Sequence, residues 1–211
     1  MKTLLTVAFC LLLGKLSNIT WRGGEVLIRV FKHEKELEVW IYKQNIYQLV
    51  KSYKVCALSG KFGPKRYEGD LQVPEGLYEV IKLNPHSNYY KSIKINYPNK
   101  SDSLLSSYPK KGGEIYIHGK CVSVGCVAIG DAAIDELYNI VNQSPRTNVH
   151  IFPARYDIHN EYYRSSLADQ PKLISFETNL AQFYYYFEDT KTLPEVYVDS
   201  TGLYKTVAEP K

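Results

Sequence analysis

Cysteine and histidine are scarce in this chain: 211 residues carry four of the first and five of the second. No C-x-x-C pair is present and no second cysteine pair stands at finger spacing, which argues against a structural zinc finger. Long basic tracts are missing and the formal charge is only +4, so the electrostatic footprint of a nucleic-acid binder is lacking. There is no acidic tail, internal repeat or low-complexity segment, which sets aside solenoids, arrays and charged interaction tails. The uncharged apolar run at residues 4–14 is too short to span a bilayer comfortably as a finished helix.

That run, behind Lys2, instead fits the apolar core of a secretory signal peptide. Residues 1–20 are read as a signal peptide or N-terminal anchor, and either way the rest of the chain is exported. Export changes the cysteine arithmetic. If Cys10 leaves with the leader, Cys56, Cys121 and Cys126 remain, and an odd count in an oxidising compartment leaves at least one thiol unpaired or paired between chains.

The apolar share is ordinary and a core can form. Tyrosine is abundant, with 19 residues in alternating or clustered runs typical of β structure. The segments "ELEVWIY", "IYQLVKSYKVCALSG", "LYEVIKL", "GGEIYIHG" and "NVHIFPAR" read as strands, while residues 59–76 and the "NPHSNYYKSIKINYPNKSDS" stretch read as loops. One segment is helical by period: Ile134, Leu137, Ile140 and Val141 form a stripe behind Asp131 as candidate N-cap, with Pro145 as the stop. The tail reads as a short helix and a closing strand. The expected fold is mainly β (α+β), with residues 21–160 as the main domain and 161–211 as an aromatic-rich extension packed on it.

The chemistry concentrates in "IYIHGKCVSVGCVAIGD", residues 115–131. Three readings compete. His118, Cys121 and Cys126 can supply three metal ligands, with His150 or His33 as a fourth. Cys121 and Cys126 can close a disulfide across a turn. Or Cys126 is a nucleophile with His118 as its base, Gly125 clearing the approach to the sulfur, and backbone N–H groups around Gly125 and Cys126 aimed at an oxyanion. The last explains more of the residues, including the helix start five residues beyond Cys126. His150, flanked by Val149 and Ile151, reads as facing solvent or a polar neighbour. His33, His86 and His159 read as surface residues. Lys61, Lys65 and Arg66 read first as part of a solvated loop, with contact to substrate carboxylates as the alternative. Cys56 and Cys121 read as core thiols.

The "IHG" followed closely by "S-x-G-C" resembles the active-site motif of the L,D-transpeptidase catalytic (YkuD-type) domain family, and "HGKCVSVGCVAIGD" resembles its YafK-like branch. "ELEVW", "CALSGKFGPKRYEGD", "VPEGLYEV", "LNPHSNYY" and "INYPNKSDS" carry the same resemblance in the same order. It implies mixed β-sheets in a barrel-like sandwich, with one clear helix after the catalytic cysteine, and residues 21–160 as the catalytic domain. It implies a cysteine acyltransferase working on diaminopimelate-containing peptidoglycan stem peptides, with Cys126 as nucleophile, His118 as proton donor and acceptor, and Ser123 and Gly125 shaping the turn. No cofactor is implied. The alternatives are hydrolysis of the same bonds, release of a wall-linked lipoprotein, or a non-catalytic wall-binding domain. Two positions depart from the wider family: Val124 stands where a second histidine is common, and Ala128 where an arginine is common.

Export is checked directly. Mature protein is expected outside the cytoplasmic membrane and without at least its first fourteen residues. Mass spectrometry of the N-terminus, together with a fusion reporter active only in the cytosol, decides both points.

Overall fold

The computed structural model describes residues 24–158 and 170–207. The expected signal peptide or anchor, His159 and the join between the two expected domains lie outside the described residues.

Eight strands form one mixed sheet: β1 (Val26–Phe31), β2 (Glu36–Lys43), β3 (Ile46–Lys54), β4 (Gly76–Ser87), β5 (Tyr90–Ile95), β6 (Tyr116–His118), β7 (Val127–Ala128) and β8 (Thr147–Phe152). Their spatial order is β3-β2-β1-β8-β4-β5-β6-β7. The β1–β8 and β6–β7 pairs are parallel and the others antiparallel. Gln44 and Asn45, both at positive φ, form the two-residue turn between β2 and β3, the conformation whose twist matches flanking strands.

The pleat of the central strands sorts side chains into two cores. Val26, Ile28 and Val30 of β1 and Val149 and Ile151 of β8 join Ile93, Ile117, Ile134 and Leu137 on one face. Phe31 and Phe152 turn to the other, where Phe176, Leu180 and Tyr184 meet them. The first core is closed by α2 (Asp131–Asn142), which buries Ile134, Leu137 and Val141 as its period requires. The second is closed by α3 (Pro171–Thr190), which starts with Pro171 in its first turn and ends at Lys191 in the left-handed region.

A buried cation fixes α3 to the sheet. Arg29 on β1 has no exposed surface; its guanidinium reaches Glu188 of α3 at 2.7 Å and Glu38 of β2 at 3.5 Å. The rings of Phe31, Phe152, Tyr184 and Phe187 surround it, with centroids 4.6 to 5.6 Å away. A second buried pair, Lys32 with Glu75 at 2.7 Å, ties the 55–75 loop to the end of β1. Lys32 Nζ also donates to the carbonyls of Gly63 and Val73, and Glu75 accepts the Gly63 N–H. That loop is therefore a fixed wall rather than a loose crossing.

The structure departs from the sequence reading in several places. β1 is a fully buried strand, so "VLIRVF" shows no polar alternation to betray it. The "NPHSNYYKSIKINY" stretch is a β4–β5 hairpin, followed by the short helix α1 (Lys100–Leu105). The tail holds a 20-residue helix rather than a short one, then a separate two-stranded sheet of β9 (Val196–Val198) and β10 (Tyr204–Thr206). The N-cap of α2 is Gly130, with Asp131 the first helical residue. His150 is buried against Phe152 instead of facing solvent.

Asp102 of α1 generates a pH-dependent expectation. Burial drives its carboxyl up to about 7, against hydrogen bonds from Asn99 N–H and Tyr78 and the nearby charge of Arg66. The folded state therefore holds this proton more tightly than the unfolded chain. The stability it contributes is present at low pH and is lost as pH rises from about 4 to about 7, by up to about 1.4 kcal/mol per pH unit. Urea unfolding across that range should show this slope in the wild type and not in Asp102→Asn.

Candidate active site

His118 ends β6 and Cys126 immediately precedes β7, and the parallel register sets His118 opposite Ala128. Only residues 119–126 connect the two strands. Gly119 has no room for a side chain: a Cβ there would lie 2.6 Å from the Tyr89 carbonyl and 2.7 Å from Asp131 Oδ1. That close approach accounts for the glycine of the "HG" pair. Asp131 Oδ1 also accepts the Lys120 N–H at 2.7 Å, so the carboxylate expected to cap α2 instead holds the loop.

Cys121 pairs with Cys56, which follows β3, with Cα atoms 5.4 Å apart. Both cysteines are exposed. The core-thiol reading therefore fails, as do the Cys121–Cys126 bridge and the ligand set that needed Cys121. Cys126 is the free cysteine among the described residues, and it is half-buried.

Two serines brace the turn before it. Ser123 Oγ accepts the Cys126 N–H at 3.1 Å and donates to the Cys126 carbonyl at 2.6 Å. Gly125, at φ +84°, donates its N–H to Ser59 Oγ at 2.6 Å, and Ser59 donates onward to the Leu71 carbonyl at 2.7 Å. The expected oxyanion donors, the N–H groups of Gly125 and Cys126, are thus both engaged within the loop. The N–H that reaches the sulfur is that of Tyr116, while the thiol itself donates to the Glu114 carbonyl at 3.7 Å.

The electrostatics favour a neutral pair. Burial pushes the Cys126 thiol up, more than the Tyr116 N–H and the charge of Lys65 draw it down; Glu114 pushes it up further. Burial also lowers His118, partly opposed by the Gly119 carbonyl. That carbonyl lies 2.6 Å from Nδ1. A carbonyl only accepts, so Nδ1 carries the hydrogen and Nε2 keeps its lone pair. The ring of Tyr89 covers the imidazole, with centroids 4.6 Å apart. No hydrogen bond joins His118 to Cys126 among the described residues.

An open cleft of about 270 Å³ adjoins the turn before Cys126, walled by Lys65, Glu68, Leu71, Glu114, Val124 and Gly125, with neither Cys126 nor His118 in its wall. Lys65 is buried and holds Asp70 at 2.6 Å, so it acts through its field rather than as a loose loop cation. Arg66 turns toward Phe176 and Asp102, and Lys61 is exposed. His33 stacks on Phe62, and His33 and His86 are both exposed, as expected. Val124 is 72 % exposed, whereas Ala128 is fully buried and bridged to Ala57, where no arginine would fit. Ser59, Tyr89, Glu114 and the Tyr116 N–H were not singled out in the sequence. For Glu114 and Tyr116 the only sequence signal is proximity to the motif, and Ser59 and Tyr89, far from it in sequence, lack even that.

Residues 25–151 match the L,D-transpeptidase catalytic domain (YkuD) family. The YafK proteins of Escherichia coli strains K12 and O157:H7 are each 35 % identical over 97 % of this chain and 89 % of their own length. Among solved structures, the helical cell shape determining protein Pgp2 of Campylobacter jejuni superposes with a TM-score of 0.54 at 20 % identity, covering 84 % of this chain and 74 % of that one. At that identity the likeness concerns the fold.

The serine brace leads to a measurable expectation. Ser59→Ala removes the acceptor of the Gly125 N–H, a loss worth about 0.5–1.5 kcal/mol. Alkylation of Cys126 by iodoacetamide should slow roughly threefold to tenfold, and Ser59→Thr should restore it. In the wild type the labelling rate should keep rising with pH beyond the ordinary thiol range, because burial holds the thiol up.

Proposed function

The chain belongs to the L,D-transpeptidase catalytic domain family, and we propose that it is a cysteine acyl-transfer enzyme acting on peptidoglycan stem peptides through a thioester on Cys126. One observation carries this reading: the free, half-buried thiol of Cys126 sits on a turn braced from both sides, with an N–H aimed at its sulfur and an open cleft against the turn.

In the proposed reaction, His118 Nε2 takes the Cys126 proton as the sulfur attacks the carbonyl carbon of an L–D peptide bond, that of diaminopimelate in a stem tetrapeptide. Both groups are neutral at rest, so charge separates only as the bond forms, inside a site where a new ion pair is weakly screened. The Tyr116 N–H stabilises the sulfur before attack. The Cys126 N–H becomes a donor to the oxyanion if Ser123 Oγ rotates toward the Cys126 carbonyl it already contacts. The tetrahedral centre collapses, the C–N bond breaks, and the leaving amine takes the proton from His118. An amine acceptor, or water, then attacks the thioester and returns the sulfur its proton. Gly125 and Ser123 hold the turn.

Residues 21–160 are read as the catalytic domain and 161–211 as its extension. Export to the periplasm or cell-wall space is part of the same proposal. A surface disulfide is at home in an oxidising compartment, and among the described residues no helix is long and apolar enough to cross a membrane.

Incubation with a carbapenem should give a covalent adduct by intact mass, lost in Cys126→Ser. Purified muropeptides should be converted by the wild type and not by Cys126→Ser. His118→Ala should retain the thiol and lose roughly 10²–10⁴-fold in turnover. A protein that is acylated but turns over no muropeptide would point to wall binding without catalysis. Full turnover by Cys126→Ser would overturn the assignment.

A further inference from the structure

A second cleft, about 660 Å³, opens between the β8–β4 pair and residues 193–198, on the side of the sheet that faces α3. His150 lines it. Only about 6 % of this residue is exposed, and its Nδ1 is buried with no hydrogen-bond partner among the described residues. Buried polar atoms are rarely left unmatched in a folded protein, and nothing in the acyl-transfer chemistry uses this one. Burial and the neighbouring Arg29 hold the imidazole down to about 3, so it presents a neutral hydrogen-bonding ring at any physiological pH.

The rest of the lining suits a neutral ligand. Asn96 Oδ1 already accepts the Glu79 N–H, which leaves its amide hydrogens as donors. Tyr78 and Tyr204 also line it but are only 2–3 % exposed, so the accessible ring is that of Tyr197, which is half exposed. The charges nearly cancel: Lys100 and Arg146 face Glu25, Glu79 and Glu195, with Arg146 paired to Glu79. A polyanion finds no field to enter. An accessible aromatic ring with a few fixed neutral donors and acceptors matches a molecule that has apolar C–H faces edged by hydroxyl and amide groups.

We propose that this cleft binds a neutral, N-acetylated oligosaccharide, the glycan part of the polymer whose stem peptides are acted on at Cys126. The proposal rests on the acyl-transfer reading for the identity of that polymer. The site is separate from the thiol: β8 lies three strands from β6, through β4 and β5, and His150 stands level with Leu77 on β4 whereas His118, through Ser92, stands level with Asn84.

The test uses the full chain and a β-1,4-linked tetramer of N-acetylglucosamine as probe, with titration followed by calorimetry. Saturable binding is expected in the wild type and equally in Cys126→Ser. It should weaken at least tenfold in Tyr197→Ala and in His150→Phe, which keeps a ring in place, while the carbapenem adduct of Tyr197→Ala forms at the wild-type rate. Absence of saturable binding by the wild type, or unchanged binding by Tyr197→Ala, overturns the proposal even if Cys126 is acylated normally. Loss of acylation with binding intact would instead count against the acyl-transfer reading and leave this site standing.

Discussion

Parallel strands are ordinarily joined by a crossover of a dozen or more residues, most often a helix. Here β6 and β7 pair in parallel across eight residues, 119–126, and the local structure follows from fitting so short a link. The chain must reverse twice without leaving the sheet edge. Lys120 and Gly125 take left-handed conformations, and Gly119 passes against the Tyr89 backbone where no side chain fits. A loop this strained does not hold itself. It is pinned from outside by Asp131 at one end, Ser59 at the other and a disulfide between. His118 and Cys126 are the two ends of that link, so whatever fixes the loop also fixes their separation.

Position is obtained at the expense of ionisation. The site buries both groups, which disfavours the thiolate and the imidazolium alike. Lys65 and the Tyr116 N–H counter this only in part. The pair is thus held as thiol and free base, and proton transfer belongs to the reacting complex rather than to the resting protein. Farther away, Arg29 resolves a related conflict differently. Its charge is fully buried, yet Glu188, Glu38 and four aromatic rings surround it, which fixes where α3 lies on the sheet. A buried charge with so particular a set of neighbours is better at specifying one packing than at adding stability.

What could be read in the sequence was what is local. The strand ending at His118, the period of α2 and the density of "HGKCVSVGC" all lie within a few residues of one another, and each has its own chemical signature. The missed elements lack such signatures. β1 is apolar on both faces because it lies at the middle of the sheet, so alternation is absent. α3 is built from Phe, Tyr and Leu at helical spacing, but its run of three tyrosines reads as β by propensity, and the packing on Phe31 and Phe152 decides the outcome. Ser59 and Lys65 act on Cys126 from a loop more than fifty residues away in sequence, brought in by the Lys32–Glu75 pair. Disulfide partners likewise cannot be chosen from spacing alone, and the nearer pairing, Cys121 with Cys126, was not the one formed.

That pairing bears on how the chain matures. The three cysteines among the described residues allow three single bridges, and two of them would consume Cys126. The native bridge closes a separation of 65 residues, which in a chain-entropy account restricts the unfolded ensemble by about 4 kcal/mol, whereas a Cys121–Cys126 bridge would close only five. The shorter bridge is the kinetically easier one to make in an unfolded chain, since loop closure grows harder with length. Oxidative folding must therefore either bring β3 beside the 119–126 link before Cys121 is oxidised or exchange the shorter bridge by attack of the Cys56 thiolate on it. The same bond that holds the loop also acts as a protecting group, occupying both of the other described thiols that could cap the sulfur on which the reaction would depend.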